Sequence, residues 1–254
     1  TILIMAPLLA PSAGSLVLAL SGWRAIFCVT VAIGILVLSS GVVAIRPRPA
    51  EIARQDGVTL QFLDSAKRFL TIRQCLFGLI LIAMTAGAYL AFLTASPVIM
   101  SELYGVSPEA FGPLFSASAL AFLLGATFSR LYVRKMGMIK IIRIGVVCLL
   151  ISALLFTSIL AADGMSVFWF WFCAAFYMAG FGVLGPSATS IALDPVPEMA
   201  GRAAAILGTV QLLTGMLFSL LAALLYDGSM NILVTLIIVS SISTAWIAFS
   251  YKHQ

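Results

Sequence analysis

Eight stretches of this chain contain no Asp, Glu, Lys or Arg: residues 1–23, 25–45, 74–101, 110–129, 144–162, 164–193, 203–226 and 228–251. Together they hold 189 of the 254 residues. A helix rises about 1.5 Å per residue, so about 20 apolar residues cross about 30 Å of hydrocarbon. Such a helix also satisfies its own backbone polar groups, as lipid demands. The pattern predicts an all-α integral membrane protein with eight transmembrane helices, spans a to h in chain order. A soluble domain is excluded, because only 9% of the residues are charged against roughly 25% in ordinary globular proteins. A β-barrel would need strands of about ten residues alternating apolar with polar, and runs such as 149–161 do not alternate.

The basic residues orient the spans. Arg24 lies between a and b; Arg46, Arg48, Arg54, Lys67, Arg68 and Arg73 lie between b and c. Arg130, Arg134, Lys135, Lys140 and Arg143 separate d from e, Arg202 separates f from g, and Lys252 is in the tail. Alternate sides receive 13 and 1 of the 14. The positive-inside rule then places both chain ends and the long b–c loop in the cytoplasm. Glu102, Glu109, Asp163 and Asp227 mark the outer turns. The net charge of +5 follows from this asymmetry, so nucleic-acid binding need not be invoked.

The b–c loop divides the chain. Arg46-Pro47-Arg48-Pro49 stops span b, since proline cannot continue a helix. Phe62, Leu63, Ala66, Phe69 and Leu70 then recur at helical spacing with Asp64, Lys67 and Arg68 on the other side. This predicts a short helix on the cytoplasmic membrane face; the alternative is a solvated linker. Thr1 begins inside an apolar span with no charged leader before it. The chain is therefore read as the remainder of a longer protein.

Lipid gives helices no hydrophobic reason to associate, so close packing rests on small residues. Four-residue ladders occur on span a (Ala6, Ala10, Gly14), span c (Ala83, Gly87, Ala91, Ala95), span d (Ala117, Ala121, Gly125, Ser129) and span g (Gly215, Ser219, Ala223). Pro97 near the end of span c, and Gly180, Gly182, Gly185 and Pro186 within span f, predict a kink or unwinding in each. Glu198 and Arg202, four apart, read as an ion pair at a helix start.

Span a reads Ala6-Pro7-Leu8-Leu9-Ala10-Pro11-Ser12-Ala13-Gly14-Ser15, followed by Gly22-Trp23-Arg24-Ala25-Ile26-Phe27. This resembles the antiporter motif on the fifth helix of major facilitator drug–proton antiporters, and most resembles the Bcr/CflA drug-resistance subfamily. Phe92 through Pro97, Glu102-Leu103, Val106 through Gly112, and Leu193 through Gly201 resemble the same group. The stretch from Gly125 through Ser129-Arg130 to Arg134, Lys135 and Gly137 is similar to its cytoplasmic loop motif. Two positions depart from the pattern: Ser15 replaces a second glycine, and Ser129 replaces the acid before the loop arginine.

The resemblance implies the C-terminal two thirds of a twelve-helix fold, with the eight spans as helices five to twelve. Residues 1–45 would close the N-terminal bundle, 46–73 would link the halves in the cytoplasm, and 74–254 would form the C-terminal six-helix bundle. It further implies a multi-pass protein of the bacterial inner membrane that exports drugs or small metabolites by alternating access, coupled to protons. Pro7, Pro11 and Gly14 would act on the antiporter-motif helix, and Arg130, Arg134 and Lys135 in the cytoplasmic loop. The rival reading is a truncated, non-transporting membrane remnant or interaction scaffold.

Catalytic chemistry finds no support. The one histidine, His253, is in the tail, and Cys28, Cys75, Cys148 and Cys173 are far apart without a C-x-x-C pair. No metal, cofactor or phosphate-cradling loop is predicted. No span contains a charged residue, although one inside the membrane normally marks a proton path. The resemblance puts the proton-titrating carboxylate on earlier helices. Candidate contacts for a small lipophilic or cationic substrate are Tyr89, Phe92 and Ser96 on span c, Phe172, Phe176 and Tyr177 on span f, and Gln211 on span g. Trp169 reads as an interfacial aromatic. For Phe176 and Tyr177 a lipid-facing position stays open, and for Gln211 an interhelical hydrogen bond.

Overall fold

A computed structural model of the chain describes the backbone at 2–44, 58–161 and 166–251, and side chains at 9–41, 62–160 and 166–251. Arg46 through Arg54, Asp163, and the tail from Lys252 lie outside the described residues, as do the side chains of Ala6 and Pro7. Every described regular element is helical. The helices are α1 (Ile2–Ser21), α2 (Trp23–Ala44), α3 (Val58–Thr71), α4 (Arg73–Glu102), α5 (Pro108–Met136), α6 (Met138–Ala161), α7 (Val167–Leu193), α8 (Ala200–Leu224) and α9 (Asn231–Ser250). Apart from α3, each falls on one of the eight charge-free windows. Seven of them, α2 and α4 to α9, are long and apolar enough to cross a membrane on the described residues.

Gly22 separates α1 from α2 at φ +74°, a left-handed backbone that other residues adopt only with strain. Ser107 starts α5: its hydroxyl accepts the Ala110 N–H, and Pro108 follows in the first turn, where no N–H is needed. Neither Pro97 nor Pro186 unwinds its helix, because α4 and α7 run unbroken through them. The glycines of α7 serve a different purpose. A Cβ on Gly182 would strike the Phe122 carbonyl of α5, and one on Gly125 would strike the Ala179 carbonyl of α7. A Cβ on Gly180 would come within 2.8 Å of the Gly145 carbonyl of α6. Missing side chains thus let three backbones cross in van der Waals contact.

The ladders of spans c and g face one another. Gly87 on α4 lies against Thr214 and Phe218 of α8, Gly215 on α8 lies against Leu90, and the Thr94 hydroxyl donates to Ser219 at 3.1 Å. Ala117 and Ala223, at ladder ends, are exposed. Among the described residues the span-a ladder builds no seam at Gly14, since a Cβ there would meet nothing within 4 Å. The close approach of α1 is instead made by Pro11 and Ser15 on Gly112 of α5, one or more residues around the helix from the predicted row.

Buried hydroxyls fasten the body. The Tyr177 hydroxyl on α7 donates to the Thr85 carbonyl of α4 at 2.7 Å and lies 3.4 Å from the Ser240 hydroxyl of α9. Ser240 in turn donates to the Met84 carbonyl at 2.8 Å, so three helices share one polar knot. Ser152 of α6 donates to the Cys173 carbonyl of α7 at 2.9 Å. Without water, an unpaired hydroxyl would be costly, so each such bond fixes a helix rotation.

The two ends of the bundle are consistent with the charge assignment. Arg68 on α3, in the b–c loop, pairs with Glu198 in the f–g turn at 2.6 Å. Tyr226 in the g–h turn donates to Glu102 at the end of α4 at 2.8 Å. Loops assigned to one side therefore touch each other. The loop helix α3 exists as predicted, and it docks on the bundle: Phe69 is fully buried while Leu63 and Leu70 stay exposed.

Candidate functional site

Three helices of the body enclose a small apolar pocket of about 100 Å³. Its walls are Tyr89 of α4, Phe115, Ala119 and Phe122 of α5, and Met178 and Phe181 of α7. Phe181 sits at the centre, 5.6 Å from the Tyr89 ring and 5.4 Å from Phe122 in a T-shaped contact. The pocket exists because Gly125 and Gly182 draw α5 onto α7 just beside it, leaving the aromatic rings to splay around the crossing. No charged side chain lines it; its walls offer ring faces and the polarisable Met178 thioether.

An aromatic cluster continues from Phe115. Phe92, which is buried, stacks 5.8 Å from Phe170 and lies edge-on to Trp171 at 5.9 Å. Trp171 also meets Phe111 and Phe115. The Trp171 indole N–H and the Ser96 hydroxyl are buried here without a hydrogen-bond partner among the described residues.

Of the predicted cavity residues, the structure brings only Tyr89 to this pocket. Phe92 and Ser96 lie buried in the adjoining core. Phe172 is exposed on an outer face of α7, stacked on Trp169 at 5.3 Å and edge-on to Phe176 at 5.2 Å. Trp169 donates from its indole to Ser158 of α6. Tyr177 is consumed in the α4–α7–α9 knot. Gln211 is half-buried on α8 and makes no hydrogen bond with a described residue. Phe115, Phe122, Met178 and Phe181 were not singled out, although Phe115, Ala119 and Phe122 recur at i, i+4 and i+7, a face that periodicity alone could have shown.

A second feature joins α1 to the body. Gly112 of α5 packs against the Pro11 carbonyl and the Ser15 side chain, and Ser12 donates to Ser116 at 2.7 Å. Because Gly112 has no side chain, a proline-bearing helix can lie flat on α5 here. At the opposite end, Arg130, Arg134 and Lys135 are exposed on the last turns of α5, where positive charge complements the helix dipole. Ser129, which replaces the family's acid, is buried with its hydroxyl 3.3 Å from that of Ser187 on α7. A hydroxyl pair thus ties α5 to α7. At the acidic rim, desolvation and then the bond to Glu102 push the Tyr226 phenol up to about 12, so it stays a donor at physiological pH.

Stacked apolar helices, seven of them long and apolar enough to cross a membrane among the described residues, define a multi-pass helical membrane protein. The chain belongs to the Major Facilitator Superfamily, whose sequence profile matches residues 1–219. It is 26% identical over 244 residues to the bicyclomycin resistance protein homolog of Haemophilus influenzae, covering 92% of this chain and 59% of that protein. It is 32% identical over 245 residues to multidrug resistance protein D of Escherichia coli, with the same coverage. It is 29% identical over 247 residues to multidrug resistance protein MdtL of Salmonella paratyphi B, covering 96% of this chain and 60% of that protein. The chain thus spans about three fifths of the length of these relatives. They bear out the resemblance read from span a, and membership in a transporter superfamily bears out the reading that the chain is not an enzyme.

Proposed function

We propose that the chain forms the C-terminal two thirds of a proton-coupled exporter of small lipophilic or cationic compounds, working by alternating access in the bacterial inner membrane. Residues 1–45 belong to one half and 74–254 to the other; 46–73 join them in the cytoplasm, where both chain ends also lie. The observation that carries this reading is the α1–α5 seam. It is the main described contact between the first two helices and the six-helix body, and it uses small and proline residues with one exposed-to-partner hydroxyl pair, Ser12 and Ser116. Such a seam can part without leaving a buried charge, as rocking halves require. The body itself is tied by Tyr177, Ser240 and the glycine crossings, so it moves as a unit.

The aromatic pocket contributes a wall that accepts one ring of a substrate. No described span interior carries a titratable carboxylate, so the proton-coupling group belongs to helices that the resemblance places ahead of α1. The relatives' names, which speak of bicyclomycin and multidrug resistance, support an export role. The test is dye retention in cells expressing the full reading frame. Ethidium should accumulate less than in a vector control, and a protonophore should abolish the difference. Equal accumulation with normal membrane abundance would overturn the proposal.

A further inference from the structure

A second cavity, of about 950 Å³, opens at the end of the bundle that carries the basic loops. It shares no residue with the aromatic pocket. Gln74 at the start of α4, the turn at 137–140, Arg143 on α6, Asp194 after α7, and Phe249 and Tyr251 at the end of α9 line it. Three sources of positive potential converge there. The Arg143 guanidinium lies 5.7 Å from the centre of the Phe249 ring, and its Nε is buried without a hydrogen-bond partner among the described residues. Arg143 forms no ion pair with a described residue, so the fork of its guanidinium can still take an acceptor from the cleft. Lys140, one turn earlier, is exposed and forms no ion pair with a described residue. The third is the start of α6, a helix of 24 residues whose first N–H groups have no intrahelical acceptor and whose dipole favours an anion.

Asp194 is the single carboxylate in the lining, and it makes no salt bridge with either cation. It leaves a net positive cleft while repelling any second negative charge. Arginine's planar fork matches phosphate oxygens, and the floor at Ile191 and Phe249 is apolar. We propose that this cleft binds a phosphate group, with Arg143, Lys140 and the α6 start as its donors, and that Asp194 favours a singly charged phosphodiester over a dianion. The source is either the headgroup of an anionic phospholipid or a soluble phosphate. Nothing in this inference depends on the transport reading.

The experiment measures thermal unfolding of the purified full chain in detergent against three probes: dihexanoyl phosphatidylglycerol, inorganic phosphate, and dihexanoyl phosphatidylcholine as the neutral-headgroup reference. Phosphatidylglycerol should stabilise the chain in a saturable way, more than the phosphatidylcholine. Its half-saturation should rise about tenfold in Arg143→Gln and about threefold in Lys140→Gln, as lost charge-assisted bonds predict. Lys67→Gln, an exposed cation on α3 outside the cleft, should bind as the unaltered chain does. Saturation by phosphatidylglycerol alone identifies a lipid source, and saturation by inorganic phosphate identifies a soluble one. If Arg143→Gln unfolds on purification, the Lys140→Gln and Lys67→Gln comparison decides. Stabilisation by neither anionic probe would overturn the proposal, as would equal weakening by Lys140→Gln and Lys67→Gln.

Discussion

Adding one methyl group at the α5–α7 crossing tests whether backbone contact there shapes the pocket. In Gly182→Ala the new Cβ would strike the Phe122 carbonyl and approach the Ala126 nitrogen to 3.0 Å. Both obstacles are backbone atoms and cannot rotate aside. Carbon and a carbonyl oxygen rest at about 3.3–3.6 Å, so α5 and α7 must part by about 1 Å. Overpacking of this kind costs about 1–3 kcal/mol. Phe122 and Phe181 are walls of the pocket, so the same displacement also widens a space of about 100 Å³. Gly208→Ala on α8 is the control, because its Cβ would meet nothing within 4 Å and helix propensity alone would stabilise by about 0.5–1 kcal/mol. Unfolding in mixed detergent micelles and ethidium retention in cells should separate the two variants. Gly182→Ala should lose stability and export, and Gly208→Ala should lose neither. Equal stability of both variants would refute the backbone-contact argument.

Other outcomes follow from the same geometry. Reporter fusions within 46–73 or after Lys252 should read cytoplasmic and those near Asp227 external, because 13 of 14 basic residues share one side; cytoplasmic signals at Asp227 would reverse the topology. Gly112→Ala should lower export at normal abundance, because its Cβ would strike the Pro11 carbonyl and Ser15. Gly14→Leu should leave the α1–α5 contact intact, and a matched loss of α1–α5 cross-linking in both would contradict this. Tyr177→Phe should destabilise by about 0.6–1.7 kcal/mol, the range for interhelical hydrogen bonds in membranes, as read by unfolding in detergent. An unchanged midpoint would show that the knot with Thr85 and Ser240 does not hold the body.

The apolar helices were legible because lipid imposes a simple rule on charge, and each described helix but α3 falls on a charge-free window, although α5 runs on to Met136 and α6 begins at Met138, beyond theirs. The loop helix was legible too, since Phe69 and its neighbours follow a helical period. Which face of a span meets which neighbour was harder to read. Every face of these helices is apolar, so periodicity carries little contrast, and Phe172 and Phe92 look alike in sequence though one is exposed and the other buried. Small residues were a better guide: the c and g ladders do meet. They misled on α1, where Ser15 and Pro11 rather than Gly14 form the contact, because a glycine on the partner helix, Gly112, supplies the needed space. Proline and glycine in α7 suggested a bend; the helix runs on unbroken, and its glycines answer the needs of neighbouring backbones, which a single span cannot reveal. The pair Glu198 and Arg68 lay beyond local spacing for the same reason.

The seam between α1 and α5 tests the central claim most directly. Ser12 and Ser116 touch across it at 2.7 Å, so Ser12→Cys with Ser116→Cys, in a background with Cys28, Cys75, Cys148 and Cys173 replaced by serine, should form a disulfide under mild oxidation. If export requires the halves to part here, the oxidised full-length protein should stop moving ethidium, and a reducing agent should restore transport. Full export by the completely cross-linked protein would contradict alternating access through this seam.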